Sequence, residues 1–204
     1  MSILAAVSLA TSPYPPLVVG FMGLGTGYLI YGIQELFHYP AKRDKSVDFP
    51  TGLWGIALPG FMQFFTGTFI IAGLVLGTFT AKPLYMAGLA FTAYGVHWFV
   101  IGWNRLHGAD PRASLGMTLG FLALSILGMM VFFGVSDAPV GILFLGLTLV
   151  YLSEILVSIK PDAPALGAMG ERLLGLFHLA TGLWLFYLLF GVTLDFVLGY
   201  HITV

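Results

Sequence analysis

Five ionisable side chains lie inside long apolar runs of this sequence: Glu35, His97, Glu154, His178 and Asp195. Such groups are costly in hydrocarbon and mark candidate functional positions. Glu35 and Asp195 fall near the ends of their runs, where interfacial water is in reach. Glu154 sits close to Lys160, so it reads either as a snorkelling or salt-bridged group or as a proton carrier. His97 and His178 lie deeper, on different runs. Either each hydrogen-bonds a neighbouring helix, or each does chemistry. An imidazole, with a reference pKa of about 6.5, changes charge near neutral pH, which makes His97 and Glu154 candidates for coupling a solute to protons. Two histidines without a third ligand make a poor metal site, and no metal is expected. Gln63, an amide with four hydrogen-bonding positions, lies mid-run. It either staples two helices or faces a wet path. Tyr94, His97 and Trp98 are spaced i, i+3, i+4 and share one helical face. An aromatic ring carrying one hydroxyl suits a narrow gate that dewets yet can touch a small polar solute; plain packing explains the same face.

Elements that position these residues follow from composition. Only 8% of the 204 residues are charged and 58% are hydrophobic, against about 25% charged in soluble domains, and the mean hydropathy is +0.96. The chain is expected to be an integral membrane protein. A net charge of −1 leaves no basic patch for nucleic acid. The absence of cysteine removes disulfides, iron–sulfur clusters and thiolate zinc sites, and no cofactor is implied. The N-terminal "MSILAAVSLATSPYPP" has no Lys or Arg before its apolar stretch and reads as an uncleaved lead-in.

Segments of roughly 20 apolar residues cross a bilayer as helices. Six are predicted, at about 16–37, 53–77, 84–102, 116–135, 139–158 and 171–195, separated by charge and breakers. Strand alternation is absent, and the loops are too short for a second domain. The expectation is one all-α domain over 1–204, a polytopic bundle of six transmembrane helices. Pro59 is expected to kink the second span. Glycine stripes (Gly20, Gly23 and Gly27; Gly60 and Gly67; Gly175 and Gly182) would let backbones approach closely. Lys42, Arg43, Lys45, Arg105, Arg112, Lys160 and Arg172 follow spans one, three and five, and only Lys82 lies on the other side. The positive-inside rule then puts both termini outside the cytoplasm.

The same residues carry a family resemblance. "AFTAYGVHW" at 90–98 resembles the A-F-T-S-Y-G-x-x-W signature of the acetate uptake transporter family, the YaaH-type acetate/succinate–proton symporters. "SPYPPLVVGF" at 12–21 is similar to that family's N-P-A-P-L-G-L-x-G-F opening, and "GFMQFFTG" at 60–67 fits G-x-x-Q-x-F-x-G. "FFG" at 132–134 closes span four, and Gly175, Gly182, Tyr187, Gly191 and Gly199 fit in span six. The resemblance spans the whole chain. It implies a channel or proton-coupled transporter, not an enzyme, for small monocarboxylates such as acetate, multi-pass in the inner (plasma) membrane and assembled as a homo-oligomer, a hexamer. It implies a constriction of Phe21, Tyr94 and Leu149, the last matched by its spacing from Gly134, with Gln63 beside the pathway. It also implies termini inside, the reverse of the charge count. The departures are Ser12 for the family's Asn, Ile70 where it has Glu, His97 for an apolar residue and His178 for a small one. An accessory or structural subunit of a larger membrane complex, without transport activity, is the competing expectation.

Overall fold

The computed structural model describes residues 16–41, 44–160 and 162–204. Most of the "SPYPP" motif, including Ser12, lies outside the described residues, as do Lys42 and Arg43. Six helical spans long and apolar enough to cross a membrane make up the fold, and there is no strand among the described residues. The protein is a multi-pass, all-α membrane protein.

Span one is α1 (Leu17–Phe37). Span two joins α2 (Lys45–Gly55) and α3 (Met62–Val75) through a π-helical stretch, Ile56–Phe61. Spans three to six are α4 (Leu84–His107), α5 (Leu115–Gly134), α6 (Ala138–Ser158) and α7 (Pro164–Leu198). Helix α1 packs chiefly against α7, α3 against α4, and α6 against both α5 and α7.

Three boundaries extend past the apolar segments. Helix α2 starts at Lys45 because the Asp44 side chain accepts the Ser46 N–H at 2.9 Å, a standard N-cap. Helix α4 runs on to His107 and stops at Gly108 in the left-handed conformation, φ 62°. Helix α7 begins at Pro164, pre-set for a first helical turn, and takes in residues that hydropathy alone leaves in a loop. A helix does not end where the hydrocarbon does.

Pro59 falls within the π-helical stretch. Proline has no N–H to give and crowds the preceding turn, and a π-turn is one way for a helix to absorb that. Helix α1 crosses this stretch closely. A Cβ on Gly23 would stand 2.6 Å from the Leu58 carbonyl oxygen, so only glycine fits there. On the other side of span two, a Cβ on Gly95 of α4 would meet the Phe64 backbone nitrogen at 2.5 Å. Span two is thus clasped between α1 and α4 by backbone contact, and this fixes where Gln63 can point.

Ion pairs trim the basic end of the bundle. Arg105 reaches Asp48 at 3.2 Å across α4 and α2, and Arg112 pairs with Asp110 at 2.6 Å and Asp162 at 3.4 Å. Lys160 takes Glu171 at 2.5 Å. The salt bridge envisaged between Lys160 and Glu154 does not form. Helix α6 ends at Ser158, so Lys160 lies in the turn beyond it and reaches Glu171 on α7, while Glu154 turns inward to line a cavity within the bundle.

Candidate functional site

Two cavities follow one another along the bundle. The first, about 260 Å³, lies toward the end formed by the α3–α4 and α5–α6 turns. The second, about 390 Å³, lies toward the basic end. Single helical stripes pass from one to the other. On α1, Leu17, Phe21 and Leu24 line the first cavity and Tyr28, Tyr31 and Glu35 the second. On α4 the stripe is Ala87, Phe91 and Tyr94, then His97, Ile101 and Arg105. On α6 it is Val140, Leu143 and Leu147, then Val150, Glu154 and Val157. Steps of three and four residues keep one face inward over a whole span. Helix α7, running back, adds His178 and then Leu185.

Where the stripes pass from the first cavity toward the second, the side chains are buried rings and leucines. Leu24, Tyr94, Leu147 and Leu185 are at most 3% exposed. The Tyr94 ring stacks on Tyr151, with centroids 5.9 Å apart and planes at 20°. Its hydroxyl lies 2.9 Å from Ser125 Oγ, which in turn donates to the Phe121 carbonyl at 2.8 Å. A carbonyl only accepts, so serine's one proton goes there and Tyr94 is the donor to Ser125. The hydroxyl is therefore anchored to α5, and the ring alone forms the cavity wall.

Phe21, Tyr94 and Gln63 all line the first cavity, whereas Leu149 lines neither. Leu147, two residues earlier, lines the first cavity instead. It is 2% exposed, and two residues, or about 200° of helix, separate the directions of the two side chains. Gln63 is fully buried; its Nε2 donates to the Pro59 carbonyl at 3.0 Å, and its Oε1 has no hydrogen-bond partner among the described residues. The first cavity is otherwise apolar. Among the described residues no Lys, Arg or His lines it, and the one carboxylate that does, Asp137, caps α6 by accepting the Val140 N–H at 3.1 Å.

The second cavity gathers what the sequence leaves scattered. His178 Nδ1 lies 2.6 Å from Glu35 Oε2, a direct hydrogen bond in a buried setting. His97 Nε2 stands 4.0 Å from Glu154 Oε2, beyond direct bonding, and His97 Nδ1 is buried without a partner among the described residues. Glu35, expected at interfacial water, is only 9% exposed and belongs to this cluster. Each histidine rests against a tyrosine: the Tyr28 ring lies 4.5 Å from His178, and His97 meets Tyr151 edge-on at 5.4 Å. At the mouth, Arg105 lies over the Tyr31 ring at 4.4 Å while holding Asp48. Beside it the Arg112 guanidinium, then the Arg112 backbone N–H, hold the exposed Asp110 carboxyl below its ordinary range, so it stays ionised. Among the described residues no three His or acidic groups come together as metal ligands do.

Sequence reasoning missed three members of this arrangement: Leu147, the Glu35–His178 pair and Ser125. Glu35 was within reach, since Phe21, Leu24, Tyr28, Tyr31 and Glu35 are spaced three and four apart. Ser125 gave no sequence signal.

No family model matches this chain, and no curated protein sequence matches it. Among solved structures the bacterial acetate channel SatP shares the fold: the superposition covers 92% of this chain and 96% of that one, with a TM-score of 0.70 and 18% identity. At that identity the likeness is one of architecture.

Proposed function

We propose that this protein is a membrane channel or proton-coupled transporter for small monocarboxylates such as acetate. The observation that carries the reading is the pair of cavities in series, lined by unbroken stripes of the same helices, with Tyr94 and Leu147 buried where the stripes pass from the first to the second. A packing subunit has no use for a stripe that stays inward-facing on both sides of a waist. The fold shared with an acetate channel supports the same reading. Phe21, Tyr94 and Leu147 would form the constriction, with Gln63 beside it.

Proton coupling fits the second cavity. A carboxylate entering there meets His97 and Glu154, with Glu35, His178, Tyr28, Tyr151, Asp48, Arg105 and Asp110 facing the same space. Arg105 is the one permanently cationic group among them, so the imidazoles and carboxyls would set how much negative charge the cavity tolerates. We take the protein to act in the inner (plasma) membrane as a homo-oligomer, six copies being what the family resemblance implies. The exposed face of α5, where Gly116 and Gly120 have open space, is suited to a neighbouring subunit or to lipid.

The test is acetate entry into vesicles reconstituted with the purified protein, followed by an internal pH dye, for the parent and for His97→Phe. Entry faster than into protein-free vesicles, with a pH profile altered in the variant, is expected. Entry no faster than into protein-free vesicles overturns the transport reading. Identical pH profiles remove His97 from coupling.

A further inference from the structure

We infer that the first cavity is a binding site for uncharged solutes that donate a hydrogen bond. The path therefore carries the undissociated acid and, by the same chemistry, small primary amides such as acetamide. This rests on the transport reading above and adds which chemical species passes the waist.

Gln63 decides the chemistry. Its Nε2 donates to the Pro59 carbonyl, and that contact fixes the amide's orientation, because the reverse would set two acceptors against each other. Nε2 keeps a second N–H, while Oε1, an acceptor, is fully buried and without any partner among the described residues. A buried unpaired acceptor is costly, and what relieves it is a donor. A carboxylate anion has none to give. An undissociated carboxylic acid brings one O–H, and a primary amide brings two N–H groups.

Charge in the surroundings agrees. An anion leaving water is paid back only by a partner of opposite sign or several donors. Among the described residues no cationic side chain lines this cavity, and the carboxylate of Asp137 adds repulsion. The walls, built from Phe21, Leu24, Phe91, Leu143 and Leu147, suit a methyl group instead. A methyl at one end and a donor at the other describe acetic acid and acetamide equally. Each molecule of acid carries its own proton across, so no charge moves.

The experiment uses the full-length protein in phosphatidylethanolamine–phosphatidylglycerol vesicles, against protein-free vesicles of the same lipids. Acetamide entry is read by light scattering after an osmotic step, and acetate-dependent entry by the internal dye. Acetate current is read in planar bilayers. The expected result is acetamide entry several-fold above protein-free vesicles and flat between about pH 6 and about pH 8. Protein-dependent acetate entry should fall about tenfold per pH unit, as the undissociated fraction of an acid of pKa about 4 does, with no acetate current. Gln63→Leu should lose most acetamide entry while eluting at the parent's size. Acetate current that is insensitive to pH, with no acetamide entry, overturns this inference and leaves the carboxylate path standing. Entry of neither solute overturns the transport reading itself. Undiminished acetamide entry in Gln63→Leu removes the glutamine from the site. Should that variant fail to assemble, the parent's choice between acetamide and acetate ion still decides.

Discussion

Tyr94 offers the sharpest test of how the waist is built. Because its hydroxyl donates to Ser125 Oγ at 2.9 Å while Ser125 donates onward to Phe121, the two partners are unequal. In Tyr94→Phe the serine keeps the bond it donates, and only an accepting lone pair is left empty. Hydrogen bonds of this sort inside membrane bundles average about 0.6 kcal/mol and reach about 1.7 kcal/mol by double-mutant cycles. In Ser125→Ala a phenol 3% exposed is left with a proton and nowhere to put it, at a cost of about 1–3 kcal/mol. The double variant removes both partners and should be no less stable than Ser125→Ala alone, so the two destabilisations combine to less than their sum, which marks the pair as coupled. Flux should separate from stability. With the ring still stacked on Tyr151 and leaning on Phe121 at 5.6 Å, Tyr94→Phe should keep acetate entry within about threefold of the parent, the factor corresponding to about 0.6 kcal/mol. Tyr94→Leu, which withdraws the ring, should raise entry by joining the two cavities. Denaturant titrations in mild detergent supply the stabilities, and reconstituted vesicles supply the rates. If Tyr94→Phe abolishes entry, the hydroxyl touches the solute and the anchoring argument is wrong. A larger stability loss in Tyr94→Phe than in Ser125→Ala would refute the direction assigned to the bond.

Other expectations follow from the same packing. Leu147→Ala should widen the waist and raise acetate entry, whereas Leu149→Ala, which faces neither cavity, should leave entry rates at the parent's level in the same vesicle assay. Gly95→Ala should lower the thermal midpoint in detergent, by about 1–3 kcal/mol of stability, because the new methyl meets the backbone of Phe64 at 2.5 Å. Gly120→Ala, with open space around it, should leave the monomer's packing untouched, and a change in assembly size on light scattering would place that glycine at a subunit contact.

Much of the fold was legible because bilayer thickness and helix rise set the length of each apolar run, and six runs survive in the structure with their order intact. What hydropathy could not show is where helices continue into water. Helix α2 gains a start at Lys45 from a cap, and α7 gains its first turns from Pro164. The π-helical stretch at Ile56–Phe61 was legible only as a kink at Pro59, since the sequence gives the cause of the disruption without its geometry. Partners far apart in sequence were hidden altogether. Glu35 and His178 lie on helices whose contact depends on the α1–α7 crossing, and no local spacing reports that.

The site shows where spacing can be trusted and where it cannot. Tyr94, His97 and Arg105 are on one helix, and counting residues between them places them on one face, split between two cavities as the structure has it. Leu149 was instead reached by counting from Gly134, across the turn that joins α5 to α6. Within that turn Ser136 takes a left-handed φ of 63°, and Asp137 then caps the next helix by accepting the Val140 N–H. The phase of α6 is set afresh by that cap, so a count begun on α5 carries no angular information into it. Counted within α6 alone, from Val140 through Leu143 to Leu147 and on to Val150 and Glu154, the inward face can be followed without a break. Helical phase is a property of one helix, and a residue assigned by spacing is only as secure as the continuity of the helix over which the spacing was counted.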